Sequence, residues 1–342
     1  MPKQQRIRYF DIAKGVGILA VIAGHTLQNH FAISLIYSFH MPLFFLISGY
    51  FFKVNQDSKS LLHKNARQLL IPYVFTCVCV ILFSSAEQLY IDRRGLGKTL
   101  LGWIYASLYG SGCTYEKPFP IYLIGAVWFL LALFFARCIF NYSSRFNGWM
   151  QFGFIAVVAY IGWKTAQFIW LPFSVQAGMV AVLFLYIGNV MHQINIFQKP
   201  AKIQYVAFAS CVWLICIIFG GQLYMVKNYY GNGLFDVIGA VCATYIVLLL
   251  SKAIEKKLNI IAKILNFYGK NTLMILCFHL IDLDTFPWEV MTNSLHITGT
   301  RSGSLLVLAG RIVWVTIAVL LANKIPIIKN VFSEKQNGKL NG

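Results

Sequence analysis

Ten stretches of about 20 residues are long and apolar enough to cross the hydrocarbon of a bilayer, and they constrain this chain more than any other feature. Their approximate bounds are 10–28, 33–52, 69–90, 121–140, 151–170, 172–191, 204–222, 234–251, 268–286 and 305–325. Hydrocarbon offers backbone N–H and C=O groups no partner, so runs of this length predict helices whose hydrogen bonds close internally. The expected fold is an all-α, polytopic transmembrane bundle of about ten helices. The ninth segment is the least apolar, and a further piece near Leu100–Tyr109 is too short to span. Composition agrees: 12% of the 342 residues are charged, against about 25% in a soluble domain.

Charge then orients the bundle. Lys and Arg number 29 against 11 Asp and Glu, a formal net charge of +18. With the N-terminus inside, twenty of the 29 fall in cytoplasmic segments, whereas Arg93, Arg94, Lys98, Lys117, Lys227 and Arg301 fall outside. Basic residues collect in cytoplasmic loops, so both termini are expected in the cytoplasm, with residues 91–120 and 285–304 facing outward. Topology and the lipid bilayer account for the basic balance, and no nucleic acid is implied. The chain reads as a single transmembrane domain over 1–330 with a short polar cytoplasmic tail at 331–342, multi-pass in the cell's inner (cytoplasmic) membrane. The first segment carries Asp11 and Lys14 and shows no small-residue cleavage site, so it is expected to remain as a helix. Seven of the eight cysteines lie in apolar stretches without C-x-x-C or Cys/His ligand spacing, so neither a disulfide framework nor a metal site is expected.

Ionisable groups inside a span cost about 2.5–3.5 kcal/mol each on insertion scales, so each needs a reason. The first helix reads Asp11-Ile-Ala-Lys14-Gly-Val-Gly-Ile-Leu-Ala-Val-Ile-Ala-Gly-His25. The spacing puts Lys14 and His25 about 20° apart around the helix and about 16 Å apart along it. One face thus carries a cation near its cytoplasmic end and an imidazole toward the other. Gly15, Gly17, Ala20 and Gly24 let a neighbouring backbone or a slender ligand come close. The plainer alternative is that Lys14 snorkels to the interface and His25 hydrogen-bonds within the bundle. The second helix, running back inward, brings His40 to the depth of His25, and His279 falls at a similar depth in its own helix. Three histidines at one depth imply one polar pocket, unless each is satisfied separately.

Five motifs then occur in order. They are Lys14-x10-His25, the run Phe39-His-Met-Pro-Leu-Phe-Phe-Leu-Ile-Ser-Gly-Tyr-Phe, Arg67-Gln-Leu-Leu-Ile-Pro-Tyr73, Trp128-Phe-Leu-Leu-Ala-Leu, and Gly269-Lys-Asn-Thr-Leu ahead of His279. Together they resemble acyltransferase family 3, membrane-bound O-acyltransferases, and within it the fucose 4-O-acetylase-like acetyltransferases. The resemblance runs from Arg8 to about Lys329. It implies an enzyme that takes acetyl from cytoplasmic acetyl-CoA, a substrate rather than a permanently bound cofactor. The acetyl would pass to a hydroxyl of a cell-surface or lipid-linked glycan. The family's basic residue-x10-His motif maps onto Lys14 and His25, with Lys where many members have Arg. A second basic motif, commonly two arginines three apart, maps onto Lys64 and Arg67, and a lysine lacks the bidentate fork of an arginine. The resemblance further implies that Lys14, Lys64 and Arg67 meet the CoA phosphates and that pantetheine lies along the small-residue face of the first helix. His25 would serve as general base on the acceptor hydroxyl or carry the acetyl itself.

Other residues are read as support. Asp11 orients Lys14 or caps the first helix. Trp128 is a sugar platform or an interface anchor. Lys164, Asp236 and Arg311 line an acceptor mouth or form an internal ion pair. Ser48-Gly49 reads as a packing pair, since no G-x-S-x-G elbow surrounds it. The competing class is a transporter or flippase for a lipid-linked sugar, which would use the same bundle but need no acyl donor.

Overall fold

The computed structural model describes residues 6–91, 95–117, 119–219 and 223–332. Helix dominates, as the apolar runs demand. In chain order the helices are α1 (Arg8–Gly24), α2 (His30–Tyr37), α3 (His40–Tyr50), α4 (Ser58–Asn65), α5 (Ile71–Ile91), α6 (Leu96–Tyr109), α7 (Trp128–Ser143) and α8 (Gly148–Thr165). They continue as α9 (Val175–Gln193), α10 (Ile203–Phe219), α11 (Leu234–Lys257), α12 (Asn259–Lys270), α13 (Thr272–Thr285), α14 (Trp288–Ser294), α15 (Arg301–Ala322) and α16 (Pro326–Phe332). A two-residue antiparallel ribbon, β1 (Leu223–Tyr224) on β2 (Tyr229–Tyr230), interrupts them between α10 and α11.

Each of the ten apolar segments holds a helix. Six helical stretches are long and apolar enough to cross a membrane: His30–Tyr50, Ser58–Tyr90, Gly125–Ser143, Pro172–Gln193, Leu234–Lys257 and Arg301–Ala322. A seventh forms if Asn259–Lys270 and Thr272–Thr285, bent by 73°, make one span. α10 is apolar but only 17 residues long. α1 is also 17 residues long and carries Arg8, Asp11 and Lys14 in its first two turns. The second segment is broken at Ser38–Phe39 rather than continuous. α6, expected as a piece of about ten residues, extends to 14. The lysine-rich connection after α11, expected as a loop, forms the amphipathic α12, which buries Ala262, Tyr268 and Gly269 and exposes Lys263 and Lys270. α16 carries helix through Phe332, whose ring meets Phe75 and Phe278 at 5.6 and 6.3 Å. The rest of the expected tail, and Lys3, Arg93 and Arg94, lie outside the described residues.

α1 is the axis of the site, and its neighbours fix it along its whole length. α3 runs antiparallel to it: Phe10 meets Tyr50 with ring centroids 4.6 Å apart, Gly17 backs onto Leu43 and Phe44, and Gly24 onto Ile36 and Tyr37. On another side α12 crosses at backbone contact. A methyl group at Gly15 would strike the Leu265 carbonyl, and one at Gly269 the Asp11 carbonyl. Small residues permit such crossings, which give dispersion and Cα–H···O contacts that larger side chains would forbid. At Gly15 and Gly17 the small-residue face of α1 is therefore occupied by protein, whereas Ala20 and Gly24 are half-buried. Gly15 and Gly17 are buried there, which corrects the expectation that a pantetheine arm lies along that stripe.

Candidate functional site

α1 ends at Gly24, and His25 caps it with φ −86° and ψ −3°. Thr26 turns its Oγ1 back onto the Ile22 carbonyl at 2.8 Å. Three other elements converge on this end. α13 brings His279, whose ring centroid lies 5.6 Å from that of His25 at an interplanar angle of 52°. α15 brings Arg311, whose Nη1 donates to the His25 carbonyl at 3.3 Å and to Thr26 Oγ1 at 3.1 Å. The break between α2 and α3 brings His40, hydrogen-bonded through Nδ1 to the Ile36 carbonyl at 2.8 Å. A carbonyl only accepts, so Nδ1 of His40 carries a proton, and Nε2 of the neutral ring is then an acceptor.

The histidines differ in access. His279 is fully buried. His25 lies between the His279 ring and the Arg311 guanidinium and is exposed at the surface of the bundle. One turn beyond His279, Asp282 is also fully buried. Its Oδ2 lies 3.4 Å from Arg311 Nε and 3.7 Å from His279 Nδ1, and its Oδ1 accepts from Trp288 Nε1 at 2.8 Å. Both ring nitrogens of His279 lack a hydrogen-bond partner among the described residues. Sequence reasoning missed Asp282 and Trp288. The available signal was the spacing His279-x-x-Asp282, which places both side chains on one face of a helix.

The opposite end of α1 is organised by Asp11. Its Oδ1 pairs with Lys14 Nζ at 2.7 Å and its Oδ2 with Arg6 Nε at 2.6 Å. Of the two readings for Asp11, the structure has the orienting one: Ile7 holds the cap position and no side chain caps the helix. α3 returns to this end, and Lys64 and Arg67 follow it. Lys64 sits exposed in the last turn of α4, and Arg67 half-buried in a π-helical turn, Ala66–Leu70, between α4 and α5. Such turns recur at functional sites. Arg137 of α7, counted in the sequence as a loop charge, reaches the same region. Its Nε donates to Ser48 Oγ at 3.0 Å and its Nη1 to Gln68 Oε1 at 3.4 Å. Gly49 meanwhile abuts the Leu185 backbone, so the Ser48-Gly49 pair does pack helices.

The three expected mouth residues do not come together. Lys164 lies at the surface and donates to Gln167 Oε1 at 3.2 Å. Asp236 is buried and accepts from the Asn232 backbone at 2.8 Å. Arg311 alone reaches the histidines, and its carboxylate partner is Asp282, so the internal ion pair expected among the three is not formed. Trp128 is buried, with Gly112 packed against its indole, a setting unlike an open platform. Among the described residues the eight cysteines are unpaired and no group of three His, Cys, Asp or Glu could hold a metal. Burial pushes the Cys113 thiol up, with Lys227 pulling weakly the other way, which disfavours a reactive thiolate.

An exposed imidazole backed by a buried one thus stands at one end of α1. Over residues 7–323 the chain matches a family model described as an acyltransferase domain, and it belongs to that family, acyltransferase family 3. It is similar to Nodulation protein NolL of Mesorhizobium japonicum, 32% identical over 157 residues, which cover 40% of this chain and 36% of that protein. It is similar also to Nodulation protein NolL of Sinorhizobium fredii, 30% identical over 152 residues, covering 40% and 37%. The chain thus spans little more than a third of the length of these curated relatives. No solved structure matches it.

Proposed function

We propose that this chain is a multi-pass O-acetyltransferase of the inner membrane that moves acetyl from cytoplasmic acetyl-CoA to a hydroxyl of a cell-surface or lipid-linked glycan. One observation carries the reading. An exposed imidazole, His25, caps α1 against a buried imidazole 5.6 Å away, about three turns along the helix from a partly exposed lysine. Ten spans with both termini in the cytoplasm would put Lys14 on the donor side and His25 toward the acceptor. Family membership supports acyl transfer, and the stripe closed by α12 and α3 leaves the donor arm another face of α1.

In this reading Lys14, Lys64 and Arg67 meet the CoA phosphates as charge-assisted hydrogen-bond donors. His25 takes the proton of the acceptor hydroxyl as its oxygen attacks the thioester carbonyl. The carbon–sulfur bond breaks, and the CoA thiolate leaves with a proton returned from the imidazolium. His40, with Nδ1–H held by the Ile36 carbonyl, offers Nε2 to accept from a neighbouring hydroxyl of the acceptor.

Purified protein in liposomes, given acetyl-CoA and a glycan acceptor, should release CoA thiol only when the acceptor is present. His25→Ala should lower that rate by roughly 10²–10⁴-fold with protein yield and melting temperature unchanged. Sugar movement without an acyl donor, together with near wild-type behaviour of His25→Ala, would overturn the reading in favour of a carrier.

A further inference from the structure

A helix leaves its last carbonyls without intrahelical partners, and a cation there is favourable. At the end of α1 that cation is Arg311, bonded to the His25 carbonyl and Thr26 Oγ1. A guanidinium 8% exposed within a membrane bundle in turn needs a counter-charge, and Asp282 supplies it at 3.4 Å. The remaining oxygen of Asp282 is held by Trp288 Nε1 at 2.8 Å. The indole of Trp288 lies against Gly310, next in sequence to Arg311, where a Cβ would strike its six-membered ring. The contacts therefore close a circuit from α13 through α14 and α15 to His25, the residue that caps α1, and His279 hangs from the same α13 turn against the His25 ring.

From this circuit we propose that Asp282 is a positioning residue: through Arg311 it fixes the end of α1 that carries His25, while its Oδ2 lies 3.7 Å from Nδ1 of the His279 ring that backs His25. The kinetic consequence rests on the acetyl-transfer reading above, whereas the geometric one does not. A structural ion pair elsewhere in the bundle would stabilise the fold and leave His25 alone. This one ends on the backbone of His25 itself, and a misplacement of about 1 Å at a reacting group can cost about 10²-fold.

Asp282→Asn keeps an oxygen for Trp288 and removes the charge opposite Arg311. Its kcat should fall roughly 10- to 100-fold, with the donor KM within about twofold of wild type. Arg311→Lys should restore part of the rate lost in Arg311→Gln. The double variant Asp282→Asn/Arg311→Gln, with neither charge left unpaired, should be no slower than the worse single variant. It also keeps the comparison available if Asp282→Asn alone does not accumulate. A second readout does not depend on turnover: diethyl pyrocarbonate labelling mapped by mass spectrometry. The rate at His25 should change several-fold in Asp282→Asn while the rates at His63 and His192 hold. Wild-type kcat with unchanged His25 labelling overturns the role, as do losses in the single variants that multiply in the double. Changed labelling in a protein that transfers no acetyl would leave the brace standing and remove the acetyltransferase reading instead.

Discussion

At the His25 end of α1 the charged groups are sealed in, Asp282 fully and Arg311 almost so, whereas at the Lys14 end Arg6 and Lys14 share Asp11 with side chains 58% and 27% exposed. Burial makes the first set stiff. Charges there are little screened, each has a fixed partner, and breaking one side strands the other at a cost of about 3–5 kcal/mol. Water and salt loosen the second set, where an exposed pair contributes about 0–1 kcal/mol and exchanges partners readily. One helix thus carries a fixed geometry at one end and replaceable cations at the other. The first suits a group that must be aimed, and the second suits an anionic ligand that must come and go.

The comparison assumes that α1 is one rod held to α12, and the most damaging change attacks that contact. Gly269→Leu would drive a side chain into the Asp11 backbone. Overpacking in a tight core commonly costs about 1–3 kcal/mol or more, and here the obstacle is backbone that cannot rotate away. Little monodisperse protein should be recovered, and what is recovered should melt well below wild type in a thermal-shift assay. Wild-type yield and melting would mean that the two ends are not coupled through this crossing.

A second test sets the ends against each other through salt. Lys14→Ala should raise the donor KM on the order of tenfold, the lower part of the range for a charge-assisted hydrogen bond, with little change in kcat. That difference should shrink in high salt. The kcat loss in Asp282→Asn should not respond to salt, because its partners are buried. Equal salt sensitivity at both ends would erase the distinction.

That the apolar runs form helices was legible because a run of about 20 apolar residues leaves the backbone one option in hydrocarbon, although six or seven of them, not ten, are long and apolar enough to cross a membrane. The interruptions were not. Ser38–Phe39 lies between apolar runs, and its partner at the break is distant in sequence, Trp213 Nε1 donating to Ser38 Oγ at 2.8 Å. α12 was hidden by its lysines, although Ala262, Leu265, Tyr268 and Gly269 recur at helical spacing. His25 and His279 stood out as imidazoles in apolar runs, and the spacing of His25 from Lys14 was visible. Asp282 lay in the same run as His279 and carried the same signal, but its meaning depends on Arg311, whose approach no local spacing reveals. Arg311 was accordingly placed in the right neighbourhood with the wrong partners. The α1 glycines were read as room for a neighbouring backbone or a ligand, and at Gly15 the neighbour is the α12 backbone.

The smallest expected effect tests whether a lysine at a helix end matters by position or merely by being a cation. Lys164 sits in the last turn of α8, as Lys14 sits near the start of α1, and each reaches the edge of an apolar helix. Their surroundings differ. Lys14 holds a carboxylate, whereas Lys164 donates to the Gln167 amide and lies over the Phe168 ring at 5.4 Å, with no carboxylate partner among the described residues. A cation near a helix C-terminus and over an aromatic face is sufficiently explained by those local contacts. Substitutions of that kind usually change stability by no more than about 0.5 kcal/mol. Lys164→Ala should therefore leave kcat and the KM for both substrates within about twofold of wild type, in the assay where Lys14→Ala shifts the donor KM on the order of tenfold. A selective rise in the acceptor KM would return Lys164 to the acceptor mouth. The aimed end of the molecule would then extend beyond the circuit around Arg311, to the end of α8.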